Sequence, residues 1–322
     1  MLTATRFQVT RRNSSYLRLL SLFPGLTWLL LGLPVLGGLL GVGLPAFGYF
    51  PELGENHFHL GHFRSLFAHP AVPWAVGLTL WTGLVSTAIS LALALLLVVA
   101  GHQTHWFRKL EHTFVPLLAV PHAAVALGLA FLIAPSGWLV RLLSPGLTGW
   151  HLPPEFVTVQ DPWGLALILG LVLKETPYLL LMTLAALPQV RAAALVQSGQ
   201  ALGYTAVSAW LRLVLPQLYP LLRLPVFAVL AFSLSVVDVS LILGPSTPPP
   251  LAVLILRWAV DPDLQLRFLA AVGAVLLLCL TLAALAGAWL LERVAFQYLR
   301  GWMTNGQRQS ALLAKASGRL AS

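Results

Sequence analysis

An all-α, polytopic membrane fold is predicted by three features of the chain. Of its 322 residues, 58% are hydrophobic and 9% charged, where a soluble domain carries about 25% charged residues. Several apolar runs exceed the ~20 residues needed to cross bilayer hydrocarbon. These runs are continuous, whereas a membrane β-barrel shows short segments of alternating polarity.

Six spans follow, at roughly 25–47, 74–100, 113–134, 163–187, 222–244 and 267–291. The first follows Arg6, Arg11, Arg12 and Arg18 and lacks a small-residue cleavage site, so it reads as a retained helix rather than a signal peptide. The net charge of +9 follows the alternation of the loops, which argues against nucleic acid and for the positive-inside rule. With the N-terminus placed in the cytoplasm, that face also holds Arg108, Lys109, Arg191, Arg212, Arg223, Arg293, Arg300, Arg308, Lys315 and Arg319. The opposite face holds only Arg64, Arg141, Arg257 and Arg267, together with Glu52, Glu55, Glu155, Asp161, Asp261 and Asp263. Both termini are therefore expected to be cytoplasmic, in a multi-pass membrane protein. The single cysteine, Cys279, lies in an apolar run and cannot form an internal disulfide.

Between the spans, residues 135–161 are expected near the headgroups because of Trp138, Trp150 and several prolines. After Pro245-Ser246-Thr247-Pro248-Pro249-Pro250, the apolar piece from Leu251 to Trp258 is too short to span and should form an interfacial or re-entrant helix. The polar, basic tail from Asn305 to Ser322 should fray or rest on anionic lipid.

The most informative segment is Gln197-Ser198-Gly199-Gln200-Ala201-Leu202-Gly203, followed by Leu213-Val214-Leu215-Pro216. It reads as a short helix, a reversal at Gly203, a second short helix and a proline stop at Pro216. Gly203 permits a positive φ without steric cost, and Thr205 or Ser208 can cap the second helix. Two amphipathic helices outside the membrane must pack on something, either a partner protein or the inner leaflet itself.

Ionisable residues inside the spans are Lys174, Glu175 and Asp238. Each costs about 2.5–3.5 kcal/mol at mid-helix, so each should face a cavity or a partner. Lys174 and Glu175 point about 100° apart, and Lys174 is better matched with Asp238. Pro177 should bend the helix near Lys174. Two readings stand: a lining or gate for translocation, and a buried salt bridge fixing helix register. His122, beside Pro121, reads as a packed histidine more readily than as a substrate contact. His57, His59, His62 and His69 could offer nitrogen ligands, but their spacing matches no metal motif, and no metal site is expected. No Walker A sequence, nucleophile elbow or His-Glu-x-x-His helix is present.

The spacing of residues 188–220 resembles the EAA loop of permeases in binding-protein-dependent ABC importers of type I, the MetI-like group. Thr79 to Thr87 resembles the opening of that family's five-helix core, and Leu241 to Pro245 with Leu251-Ala252-Val253 resembles its outer turn and short helix. More narrowly, Ser233 to Ser240 and Asp261-Pro262-Asp263-Leu264 look like the Ynj-type permeases, a group similar to those for thiamine, iron(III), putrescine and sulfate. Members of that group are often double-length, and this chain resembles one half. The family's Glu-Ala-Ala is here Gln197-Ser198-Gly199, so Gln197 keeps a hydrogen-bonding side chain but cannot form an ion pair.

The resemblance implies a cytoplasmic segment 1–24, a first span and periplasmic loop at 25–73, a permease core at 74–291 and a cytoplasmic tail at 292–322. It further implies a transmembrane subunit for a small solute that is not itself an enzyme and holds no cofactor. ATP would bind separate ATPase subunits, which would dock on Gln197, Ser198, Gly199, Gln200, Leu202, Gly203, Leu213, Leu215 and Pro216. A periplasmic binding protein and a second permease, identical or paralogous, would complete the assembly. An ion-coupled secondary transporter would show inverted repeats, and none is found. A membrane-embedded enzyme or assembly factor would need a nucleophile or metal set beyond His122, Lys174, Glu175 and Asp238.

Overall fold

The computed structural model describes residues 14–101, 104, 107, 109 and 116–305. Arg6, Arg11, Arg12, Arg108 and the tail from 306 onward, on which part of the charge count and the lipid-contact expectation rest, lie outside the described residues. Among the described residues, six helical segments are long and apolar enough to cross a membrane: Phe23–Ala46, Val72–Gly101, His122–Leu143, Leu165–Val190, Ala206–Ser235 and Leu266–Thr304.

Helix α1 (Ser14–Ala46) is apolar on every side over Phe23–Ala46 and little of that stretch is buried, as suits a helix facing lipid. It leads into a two-stranded hairpin, β1 (Tyr49–Phe50) and β2 (Glu55–Asn56), and helix α2 (Gly61–Ala68), which rests on the last span. Helix α3 (Val72–Gly101) buries a stripe of small and hydroxylic residues, including Thr79, Gly83, Ser86, Ser90 and Ala94. Small side chains let helices approach closely in a membrane. A β-carbon on Gly83 would lie 2.6 Å from Leu234 Cδ2, so the approach depends on glycine there.

The third span differs from the continuous helix expected at 113–134. Residues 116–119 are helical, the chain bends at Val120, and helix α4 (His122–Ile133) begins after Pro121. Proline lacks the amide donor and disfavours helical backbone in the residue before it. Helix α5 (Trp138–Leu143) extends this segment outward. Helix α6 (Leu165–Ala186) starts at a left-handed Gly164, with Asp161 accepting hydrogen bonds from the amides of Leu165 (2.8 Å) and Ala166 (2.9 Å). Pro177 lies within α6, which stays helical through it.

Two short helices, α7 (Ala192–Ala201) and α8 (Ala206–Ala209), form the inner-face loop. The proline stop expected at Pro216 is not found. The chain passes from α8 through a π-helical turn at Trp210–Val214 into helix α9 (Leu215–Ser235), with Pro216 in its first turn. The Leu215 amide reaches back five residues to Trp210 O, so the helix widens just before Pro216 and the missing amide falls at that junction. The fifth span is accordingly shifted from 222–244 to Ala206–Ser235. The chain breaks at Val236–Val237, and Asp238 opens a separate short helix, α10 (Asp238–Leu243).

Helix α11 (Leu251–Ala259) is too short to span and buries Leu251, Ala252, Val253, Leu254 and Trp258 against α3 and the last helix. The non-helical backbone at its start, Pro249 and Pro250, is buried in protein. The amide of Leu251 donates to Thr79 Oγ1 at 2.9 Å in a buried site. Helix α12 (Leu266–Thr304) has 39 residues, about 58 Å at 1.5 Å per residue. It therefore outruns the ~30 Å hydrocarbon core and continues past the expected end at 291.

Thr79→Val should strand the buried Leu251 amide and cost about 1–3 kcal/mol, while Thr79→Ser should retain nearly all the stability. Thermal unfolding of both variants in the same detergent checks this, and equal melting of the two would show that the hydroxyl does not hold α11.

Candidate functional site

Lys174 and Glu175 sit midway along α6, where both side chains are buried. Lys174 Nζ donates to the carbonyls of Leu117 (2.8 Å), Leu118 (3.0 Å) and Val120 (2.5 Å). In an unbroken helix these carbonyls would accept from residues four further on. Residue 121 is proline and has no amide, and the Ala124 amide is diverted to the Pro121 carbonyl at 3.1 Å. The broken third span thus leaves acceptors that the ammonium fills, and an ammonium has three donors to give.

The expected Lys174–Asp238 pair is absent. The ammonium's three donors are taken, and the break at Val236–Val237 places Asp238 exposed in the first turn of α10. There its charge meets the positive end of a helix. Glu175 instead meets His122, with Oε1 3.3 Å from Nε2. The histidine expected to be merely packed, at the start of α4, also lies against the Phe232 ring at 4.7 Å. His122, Lys174 and Glu175 line a cavity of about 360 Å³ together with Leu118, Tyr178, Ala228, Val229 and Phe232. Its walls come from α4, α6 and α9, so the polar groups face a space between spans.

The inner-face loop has a defined architecture. Helix α7 ends in a Schellman cap: the Tyr204 amide donates to Gly199 O at 3.0 Å and the Gly203 amide to Gln200 O at 2.9 Å, with Gly203 at φ +88°. Thr205, not Ser208, caps α8, its Oγ1 accepting from the Ser208 amide at 3.2 Å. Gly199 is buried, and a β-carbon there would lie 2.6 Å from Ala209 Cβ and 3.0 Å from Leu213 Cδ1. The glycine that replaces the family's alanine thus sets the contact of α7 with the helix behind it. Gln197, Ser198, Gln200 and Leu202 are exposed, whereas Leu213, Leu215 and Pro216 are half-buried. Behind the loop, Ala192, Trp210, Val214 and Leu218 join one buried cluster with Ala94, Val98, Leu179, Leu180 and Leu187.

A second set of contacts was not foreseen. Buried Glu292 of α12 accepts from Tyr219 Oη at 2.5 Å and Arg223 Nε at 2.8 Å, both on α9. Buried Arg212, in the π turn, donates to Asn305 Oδ1 at 2.9 Å and lies 4.3 Å from the Trp302 ring. The available signal was Glu292 itself, a lone acid in an arginine-rich inner segment.

On the outer face the histidines separate. His59 and His62 come together with Glu55, an acid outside the histidine run, while His57 is exposed outside the group and His69 lies against Trp258. Burial holds the His62 imidazole below the ordinary histidine range, with His59 adding to the effect and Glu55 opposing it.

No family model matches the sequence. Over 234 residues the chain is 33% identical to the inner membrane ABC transporter permease protein YnjC of Escherichia coli (strain K12), a match covering 73% of this chain and 44% of YnjC. The chain therefore spans less than half the length of that relative. Its fold superposes with a TM-score of 0.66 and 20% identity on a chain from the crystal structure of a bacterial ABC transporter involved in the import of the acidic polysaccharide alginate, covering 88% of this chain and 96% of the other.

Lys174→Met should strand the carbonyls of the broken span and lower stability on the order of 2 kcal/mol. Asp238→Leu should change melting little, and the double variant should match Lys174→Met alone. Recovery of stability in the double variant would instead restore the Lys174–Asp238 pair. Six membrane-length apolar helices, the match to YnjC and the importer fold together place this multi-pass inner-membrane chain among the ABC transporter permeases.

Proposed function

We propose that the chain forms the translocation pathway for a small solute in a bacterial ABC importer and takes its driving force from a separate ATPase that docks on the loop at 188–220. The observation that carries this reading is the continuity of α6. Its inner end packs on the loop through Leu179, Leu180, Leu187, Ala192 and Trp210, and its middle bears Lys174 and Glu175 on the cavity. A force on α7 would therefore reach the cavity through one packed element. The exposed Gln197, Ser198, Gln200 and Leu202 form the docking face in this reading, and Gly199 and Gly203 hold its shape. ATP would be bound and hydrolysed by the partner, so the chain itself would be no enzyme. A periplasmic binding protein would deliver the solute, and a second permease would close the pathway from the other side.

The cavity has a role in the same reading. The ammonium of Lys174 is engaged by backbone, so the pair facing the space is His122 and Glu175 at the meeting of α4, α6 and α9. Relative movement of these spans would open or close it.

The test is uptake and ATPase coupling measured in the same proteoliposomes. Gly203→Val forces a β-branched residue into a left-handed turn, and Gly199→Leu drives α7 off Ala209. Each should abolish ATP-driven uptake while the protein still inserts, whereas Gln197→Glu should retain it. Normal uptake with residues 197–203 deleted would overturn the reading.

A further inference from the structure

Glu55, His59 and His62 reach one point from three pieces of chain: strand β2, the link after it and the first turn of α2. One ligand atom from each lies within 4.8 Å of the others. His59 Nε2 stands 3.4 Å from Glu55 Oε2, long beside the ~2.7–2.9 Å of a charge-assisted hydrogen bond. It matches the separation of two ligands held tetrahedrally at zinc bond lengths of about 2.1 Å, which is about 3.4 Å. His62 Nε2 is buried with no hydrogen-bond partner, and a buried polar atom left so is costly unless something binds it.

The ring positions are fixed by packing. His62 stacks on Phe268 of α12 at 4.4 Å and meets the His59 ring at 4.7 Å. His59 lies over Gly48, where φ is +88° and a β-carbon would fall 2.8 Å from its Cδ2 and Nε2. A side chain at residue 48 would displace the ring.

We propose that Glu55, His59 and His62 bind a divalent transition cation of zinc-like preference on the outer face, clipping the hairpin to α2 above the end of α12. Two imidazoles and a carboxylate form a zinc donor set and leave a fourth position for water or a ligand from a partner. Binding through His59 Nε2 keeps that ring's proton on Nδ1. The Gly61 amide, now 3.1 Å from Nδ1, would then turn to water, which its exposed position allows. The site is separate from the cavity between the spans, so it does not depend on how solute crosses.

The experiment uses the full chain, free of any histidine tag, stripped with chelator and dialysed in detergent. Co²⁺ alone is the spectroscopic probe and Zn²⁺ alone the calorimetric one. The expected result is one Co²⁺ per chain with the intense visible bands of a tetrahedral site, and a rise in melting temperature with Zn²⁺. Glu55→Gln, which keeps the side chain's shape, and His59→Ala should each weaken binding by at least about tenfold, the loss that even outer-shell partners cause. His57→Ala should leave it unchanged. Absent bands, or affinity unchanged in both Glu55→Gln and His59→Ala, would overturn the site. Melting of each variant without metal separates loss of a ligand from loss of the fold, and the isosteric Glu55→Gln decides the matter should His59→Ala fail to fold.

Discussion

The contact on which the cavity depends is the ammonium of Lys174 filling the carbonyls that the third span leaves open at Pro121. A bilayer offers no water to unpaired backbone, so a broken helix persists there only where protein satisfies it. Lys174 does so at three points, and the same contact gives a buried charge the partners it needs. The two costs cancel against each other. The break turns α4 so that His122 faces Glu175, the neighbour of Lys174 on α6, and a space opens between the spans.

From that point the structure runs inward along α6. The helix ends against the loop, where Gly199 lets α7 lie on α8 and the π turn, and Gly203 closes the cap. The π turn precedes Pro216, which cannot donate, so the wider turn and the missing amide fall together. Arg212 in that turn, with Tyr219 and Arg223 about two and three turns on, binds this stretch to the inner part of α12. The loop is thus held from two sides, by α6 and by α12.

Much of this was legible in the sequence. Long apolar runs locate spans because hydropathy reads the membrane directly, and Gly203 declared its turn because few other residues adopt a positive φ. The partner of Lys174 was not legible. Side-chain pairing favours opposite charges, and the acceptors here are carbonyls that exist only because Pro121 breaks a helix. Pro216 was read as a stop because a lone proline gives the same signal whether it ends one helix or begins the next. Glu55 escaped notice because the hairpin, not the spacing, carries it to His59. Gly199 could be seen as a departure from Glu-Ala-Ala, but its close approach to Ala209 is a tertiary fact.

The central claim is that Lys174 caps a broken span rather than pairing with an acid. Solid-state NMR of the protein in lipid, with ¹⁵N at lysine side chains and ¹³C at the carbonyls of leucine and valine, tests it directly. Strong through-space transfer from Lys174 Nζ to the carbonyls of Leu117, Leu118 and Val120, lost on Lys174→Met, is the predicted result. Transfer from Lys174 Nζ to the side-chain carboxyl carbon of Asp238, labelled in a second sample, with none to those carbonyls would contradict the account.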